Sequence, residues 1–193
     1  HHIVFNGSPH TVYERMIRAD AIPEKALERA KARNFSGRPF VLYLGLNQSA
    51  ESLGIQDYSV FLPETLDTAK AYEMATSFAT LDSCVALCYN LIDPSFSPKD
   101  TCVMSFTQMS MEDLWGQIKV QDYYKKKDEV AEKILTLYKK KMGIDLHPFI
   151  EEIEIATPWT FARYNGAPEG AVFGYENENW DSLLNRIRAL PQE

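Results

Sequence analysis

The sequence lacks the short motifs with which proteins bind nucleotides or catalyse hydrolysis. It contains no GxGxxG, P-loop, GxSxG or HExxH pattern, and its nine glycines are scattered. Its three cysteines, Cys84, Cys88 and Cys102, show no CxxC spacing, so we expect reduced, buried thiols in a cytoplasmic protein and no metal site. No apolar run of about 18 residues and no signal-peptide layout occurs, which predicts that this segment does not span a membrane.

Positive charge is also scarce. The net charge is -7 and the pI is about 5.2, which argues against a nucleic-acid partner because phosphate binding needs a basic face. Two lysine runs are the exceptions, Lys125 to Lys127 and Lys139 to Lys141. They lie in one predicted helix beside acidic residues, so we expect a solvated helix face, with peripheral membrane contact as the alternative.

With 45% hydrophobic and 24% charged residues among 193, the chain has the composition of a folded domain with one main core. Strand-like and helix-like segments alternate without a regular beta-alpha-beta rhythm. We therefore predict an α+β fold, with a mixed, largely antiparallel sheet covered by helices. The predicted strands are Ile3–Phe5, Phe40–Leu46, Tyr58–Leu62, Val85–Ile92, Thr101–Gln108, Phe149–Thr157 and Ala171–Tyr175. The predicted helices are Thr11–Ile17, Pro23–Arg33, Leu66–Ala79, Asp113–Ile118, Asp122–Met142, Thr160–Tyr164 and Trp180–Leu190.

Several side chains could carry chemistry, but each has a plainer interpretation. Glu152 and Glu154 alternate with isoleucines, which is typical of a solvated sheet face rather than a catalytic carboxylate cluster. Met104 and Phe106 could line a pocket for a long apolar ligand, because methionine packs adaptably; core packing is the alternative. We assign no catalytic acid or base.

Two segments carry a resemblance to a known family. The first is the strand-and-turn segment Ile3-Val4-Phe5-Asn6-Gly7-Ser8-Pro9. The second starts with Ile155-Ala156-Thr157-Pro158-Trp159-Thr160, continues through Arg163 and Tyr164, and ends in a glycine-containing turn at Gly166, Gly170 and Gly174. Together they resemble the phytoene desaturase and carotenoid isomerase family of FAD-dependent oxidoreductases, at the junctions between the flavin-binding and substrate-binding domains.

The resemblance implies that residues 1–193 are a single substrate-binding domain, with residues 1–9 and 156–193 near the junctions with an absent FAD-binding domain. It implies FAD in the full-length protein, none tightly bound to this chain, and hydride transfer at a carbon-carbon bond of a long apolar substrate. The implied cofactor residues are Asn6, Gly7, Ser8, Pro9, Thr157 and Pro158. We expect substrate contacts from Thr160, Arg163, Tyr164, Met104 and Phe106.

Two other functions stay open on the sequence. The chain could be a free-standing binding module for a lipid or another apolar ligand, or an interaction domain. An apolar surface at the domain junction would also favour a homodimer. The sequence does not distinguish desaturation, saturation and isomerisation.

Overall fold

The computed structural model describes residues 3–22, 24–81, 83–176 and 180. Its described strands form one sheet in the order β2-β3-β4-β1-β5, and every pair of neighbours is antiparallel. The α+β class and the largely antiparallel sheet predicted from the sequence are thus confirmed. The strands are β1 (Arg38–Leu46), β2 (Ser59–Pro63), β3 (Ser83–Cys88), β4 (Cys102–Ser110) and β5 (Ile150–Ala156).

The described helices flank this sheet and shape its connections. The α-helices are α1 (Pro9–Thr11), α2 (Glu24–Lys31), α3 (Thr68–Ala75), α4 (Tyr123–Met142) and α5 (Pro158–Asn165), and a π-helical turn covers Val12–Met16. Short 3-10 turns lie at Ala19–Ala21, Tyr89–Leu91, Pro94–Phe96, Trp115–Gln117, Val120–Asp122, His147–Phe149 and Pro168–Gly170.

Helix α4 supplies the main packing against the sheet. Its apolar stripe is buried, and Gly143 ends the helix in a left-handed conformation with φ 74°. The stripe meets alternate residues of the strands, as where the Tyr138 ring packs edge-on against Phe106 at 5.2 Å. We call this side of the sheet the covered face; its strand residues include Phe40, Leu42, Leu44, Leu46, Cys84, Ala86, Cys88, Cys102, Met104 and Phe106.

Some predicted strands are wrong or shortened. Ile3–Phe5 is exposed and forms no strand, because it has no neighbouring strand among the described residues. Val85–Ile92 leaves the sheet at Cys88 and turns into the 3-10 segment Tyr89–Leu91. Ala171–Tyr175 contributes a single bridge, from Tyr175 to Phe35. The predicted helix Trp180–Leu190 lies outside the described residues, apart from Trp180.

The predicted helix Asp122–Met142 and the strand Phe40–Leu46 are confirmed with small shifts at their ends. In the part of the chain that the structure describes, none of the helices combines the length and the hydropathy needed to cross a bilayer.

A cluster of charged side chains links the end of α4 to the loop before β5. His147 lies between two carboxylates, with Nδ1 2.8 Å from Asp145 and Nε2 3.0 Å from Glu132. Lys139 Nζ also donates to Asp145 at 2.6 Å. The bond to Asp145, followed by that to Glu132, raises the pKa of His147. Lys139 and then His147 lower the pKa of Asp145 to about 2.

This cluster predicts a pH-dependent contribution to stability. Because the folded-state pKa of His147 is raised, the contribution is complete below the unfolded-state value of about 6.5 and is lost as pH rises through the folded-state pKa. We expect His147→Gln to lower the Tm more at about pH 5.5 than at about pH 8.5, measured by thermal unfolding in the same buffer series. A difference in Tm that is equal at both pH values, or larger in alkali, would contradict this.

Candidate functional site

The sheet face opposite α4 carries the more accessible side chains. We call it the open face. One row crosses the sheet through Val41, Thr107, Val85 and Phe61, which are aligned by strand register. The next row passes through Glu154, Tyr43, Ser105, Leu87 and Ser59. Phe61 is 74% exposed at the β2 edge, so the described residues leave part of this apolar surface accessible to a ligand or another domain.

The α5 segment joins the far end of β5 to the core. Thr157 precedes the helix and is fully buried, at 0% exposure. Its Oγ1 lies 2.7 Å from the Tyr123 hydroxyl, and its backbone N–H donates to Thr160 Oγ1 at 3.1 Å. Pro158 occupies the first helical turn, where its missing N–H leaves no intrahelical bond unmade. Thr157 and Thr160 are therefore engaged in holding the start of α5.

The other end of α5 faces solvent. Arg163 and Tyr164 are both exposed, and the Arg163 guanidinium lies 5.6 Å from the centre of the Tyr164 ring. Neither residue has a described polar contact with Thr157 or with the open face. Their assignment to substrate binding remains a prediction.

The turn after α5 closes back onto the helix start. Gly170 has φ +74°, and a Cβ there would lie 2.1 Å from the Pro158 carbonyl oxygen. Next to it, Glu169 has an unusual positive φ of 52° for a non-glycine residue and forms an ion pair with Arg38. Arg38 is 5% exposed and also donates from Nη1 to the Met111 carbonyl at 2.9 Å. This ion pair ties the turn to the beginning of β1.

The N-terminal group of predicted cofactor residues lies beside a different cluster. Ser8 Oγ accepts a hydrogen bond from the His10 N–H at 3.3 Å and so caps α1. The His10 ring packs against Phe35, with ring centres 5.1 Å apart. Asn6, Gly7 and Pro9 are exposed. No described hydrogen bond, ion pair or ring contact connects residues 6–9 with residues 157–158, so the structure leaves the two predicted cofactor groups without a direct link.

Met104 and Phe106 lie on the covered face, at 1% and 0% exposure. They pack beneath α4 and form part of the core, on the opposite side of the sheet from the accessible apolar row. Their substrate role remains a prediction that this placement does not favour.

The open face brings together residues that the sequence analysis did not single out. Tyr43 lies opposite Ser105 in the β1–β4 pair, and the Ser105 hydroxyl is 3.0 Å from the Tyr89 hydroxyl. The alternation of β1 could have placed Tyr43 on the face opposite Leu42 and Leu44. Nothing in the local sequence around Tyr89 indicates that its hydroxyl reaches Ser105.

The fold and site define an α+β domain whose sheet is packed on one face and partly accessible on the other. No family model matches the chain. The chain is 35% identical over 81 residues to a protein named "Prolycopene isomerase, chloroplastic", from Daucus carota. The match covers 42% of this chain and 13% of the carrot protein, so it spans a small part of that relative. It supports a likeness to carotenoid isomerase- and desaturase-like proteins.

Removing the Thr157 hydroxyl tests its structural role. Thr157→Val keeps the side-chain shape but leaves the Tyr123 hydroxyl without this partner, so we expect a loss of about 1–2 kcal/mol in the free energy of unfolding. Tyr123→Phe and the double variant complete the cycle, measured by urea unfolding. Because both single variants break the same bond, their effects should be less than additive by about 1 kcal/mol. Full additivity would contradict the assignment.

The close approach of Gly170 to Pro158 gives a second test. Gly170→Ala places a methyl group against a carbonyl oxygen at a positive φ, so we expect a loss of about 2–4 kcal/mol. Gly174→Ala is the matched control, since Gly174 has φ +76° but, apart from its chain neighbours, no described atom within 4 Å of the point where the added methyl group would lie. It should lose about 1 kcal/mol by the same unfolding measurement. Equal losses would show that backbone strain alone determines the effect.

Proposed function

We propose that this chain is the substrate-binding part of an FAD-dependent enzyme that acts on carbon-carbon double bonds of a long, apolar polyene. The observation that carries the proposal is the 35% identity over 81 residues with a protein named for prolycopene isomerisation. The resemblance of the Asn6–Pro9 and Thr157–Tyr164 segments to the same family agrees with it.

The open face offers a surface suited to such a substrate. The row from Val41 through Thr107 and Val85 to Phe61 crosses four adjacent strands. Strands in a sheet are about 4.8 Å apart, so this row extends for about 14 Å. A mostly apolar row of this length, open at its Phe61 end, suits an extended hydrocarbon chain better than a compact polar substrate. In the proposal, another domain of the full-length protein closes the cavity over this row.

The described residues do not form a complete flavin site. The hydroxyl and the N–H of Thr157 are both already hydrogen-bonded within the chain, and residues 6–9 have no described link to them. We propose that FAD is held mainly by another domain and that this chain binds and orients the polyene. No catalytic acid or base is assigned among its residues.

The proposal predicts a flavin in the full-length gene product. Purified without added cofactor, that protein should show flavin absorbance, and it should convert prolycopene or a related polyene, followed by chromatography of the extracted products. This 193-residue chain, expressed alone, should be colourless. A colourless but folded full-length protein would contradict the enzyme function and favour a binding module for apolar ligands.

A charge introduced on the open face tests polyene binding separately from retention of the flavin. Val85→Asp in the full-length protein should weaken polyene binding by about tenfold or more, because a carboxylate would be desolvated against hydrocarbon. Val120→Asp is the matched control, since Val120 is 92% exposed in a turn outside the sheet. Both variants should retain the flavin spectrum. Equal polyene affinity in the two variants would show that the open face is not the substrate wall.

A further inference from the structure

A group of hydroxyls interrupts the apolar surface of the open face. Ser105 is 2% exposed and its hydroxyl is paired with that of Tyr89 at 3.0 Å. The Tyr89 ring is stacked on Phe96, with ring centres 4.8 Å apart, and meets Tyr58 edge-on at 6.4 Å. These ring contacts fix the Tyr89 hydroxyl at the sheet surface, because a packed aromatic ring has few alternative positions.

Tyr43 stands beside this pair on the neighbouring strand. It lies directly opposite Ser105 and is 39% exposed. Burial, and then the nearness of Tyr89, raise the pKa of Tyr43, so the hydroxyl stays protonated and can donate a hydrogen bond. Within the described part of the chain, the Tyr43 hydroxyl has no hydrogen-bond partner. Tyr43 therefore offers a donor on the residue opposite Ser105 and near enough to Tyr89 to affect the pKa of Tyr43.

The surroundings select the kind of polar group that this cluster could bind. Leu87 continues the same row toward β2, and the apolar row through Val85 runs alongside it. On the other side of Tyr43 lies Glu154, an exposed carboxylate residue on β5. A carboxylate end group would be repelled there, whereas an uncharged hydroxyl could accept from Tyr43 without that repulsion.

We propose that Tyr43, with the Tyr89–Ser105 pair, binds an uncharged terminal hydroxyl of a long polyene lying on the open face. The assignment rests on the proposed function, because it takes the open face as the substrate wall. It narrows the substrate class to polyenes with an oxygen function at one end, and it makes Tyr43 a specificity-determining residue.

The test compares two ligands on the full-length protein, an acyclic polyene hydrocarbon and the same polyene with one terminal hydroxyl. Equilibrium binding is measured for the unaltered protein, for Tyr43→Phe and for Tyr124→Phe, an exposed tyrosine of α4 that serves as the control. The unaltered protein and the control should bind the hydroxylated polyene about tenfold more tightly than the hydrocarbon, the effect of one added hydrogen bond. Tyr43→Phe should reduce this preference to about twofold or less without weakening hydrocarbon binding.

The outcomes separate this inference from the proposed function. If both ligands bind equally to the unaltered protein, or if Tyr43→Phe keeps the full preference, the hydroxyl assignment is overturned while the polyene function stands. If neither ligand binds, the proposed function fails and the assignment fails with it. A weaker hydrocarbon affinity in Tyr43→Phe would indicate a packing role for the tyrosine and would also overturn the assignment.

Discussion

The packing of α4 against one face of the sheet determines which strand side chains are buried and which remain accessible. Because side chains alternate across each strand, every leucine of β1 that faces α4 fixes a neighbour on the opposite face. Leu42 and Leu44 are buried under the helix, and Tyr43 between them therefore points to the open face. The buried core and the accessible surface are consequences of the same alternation. A shift of one residue in register would exchange them.

The elements with strong internal patterns could be predicted from the sequence. The apolar stripe of α4 and its Gly143 cap are local signals, and so is the alternation of β1. The segments that failed depend on partners far away in the chain. Ile3–Phe5 has the composition of a strand but no described neighbour, and Ala171–Tyr175 reaches only one bridge, to Phe35. A strand exists only where another strand accepts its hydrogen bonds, which composition alone cannot specify.

The same limit applies to the candidate site. The family resemblance assigns Thr157 and Thr160 to ligand binding, which stays a prediction; in the structure their hydrogen bonds hold the start of α5 and connect it to Tyr123. Met104 and Phe106 fit an apolar pocket by composition, but the position of α4 decides which face of β4 they occupy. The cluster of Tyr43, Tyr89 and Ser105 arises because β1 and β4 are adjacent and because the chain turns at Tyr89. No sequence motif indicates that these three residues lie together.

The buried Arg38 explains why the turn after α5 has a defined conformation. Arg38 would be costly to bury as an isolated charge, and its pairing with Glu169 offsets part of that cost while holding the glutamate at a positive φ. Gly170 can then approach Pro158 more closely than any residue with a side chain. The turn, the start of α5 and the first residue of β1 are thereby fixed relative to one another. The conformation of this end of the sheet is therefore fixed by buried polar contacts of Arg38, to Glu169 and to the Met111 carbonyl, in addition to strand pairing.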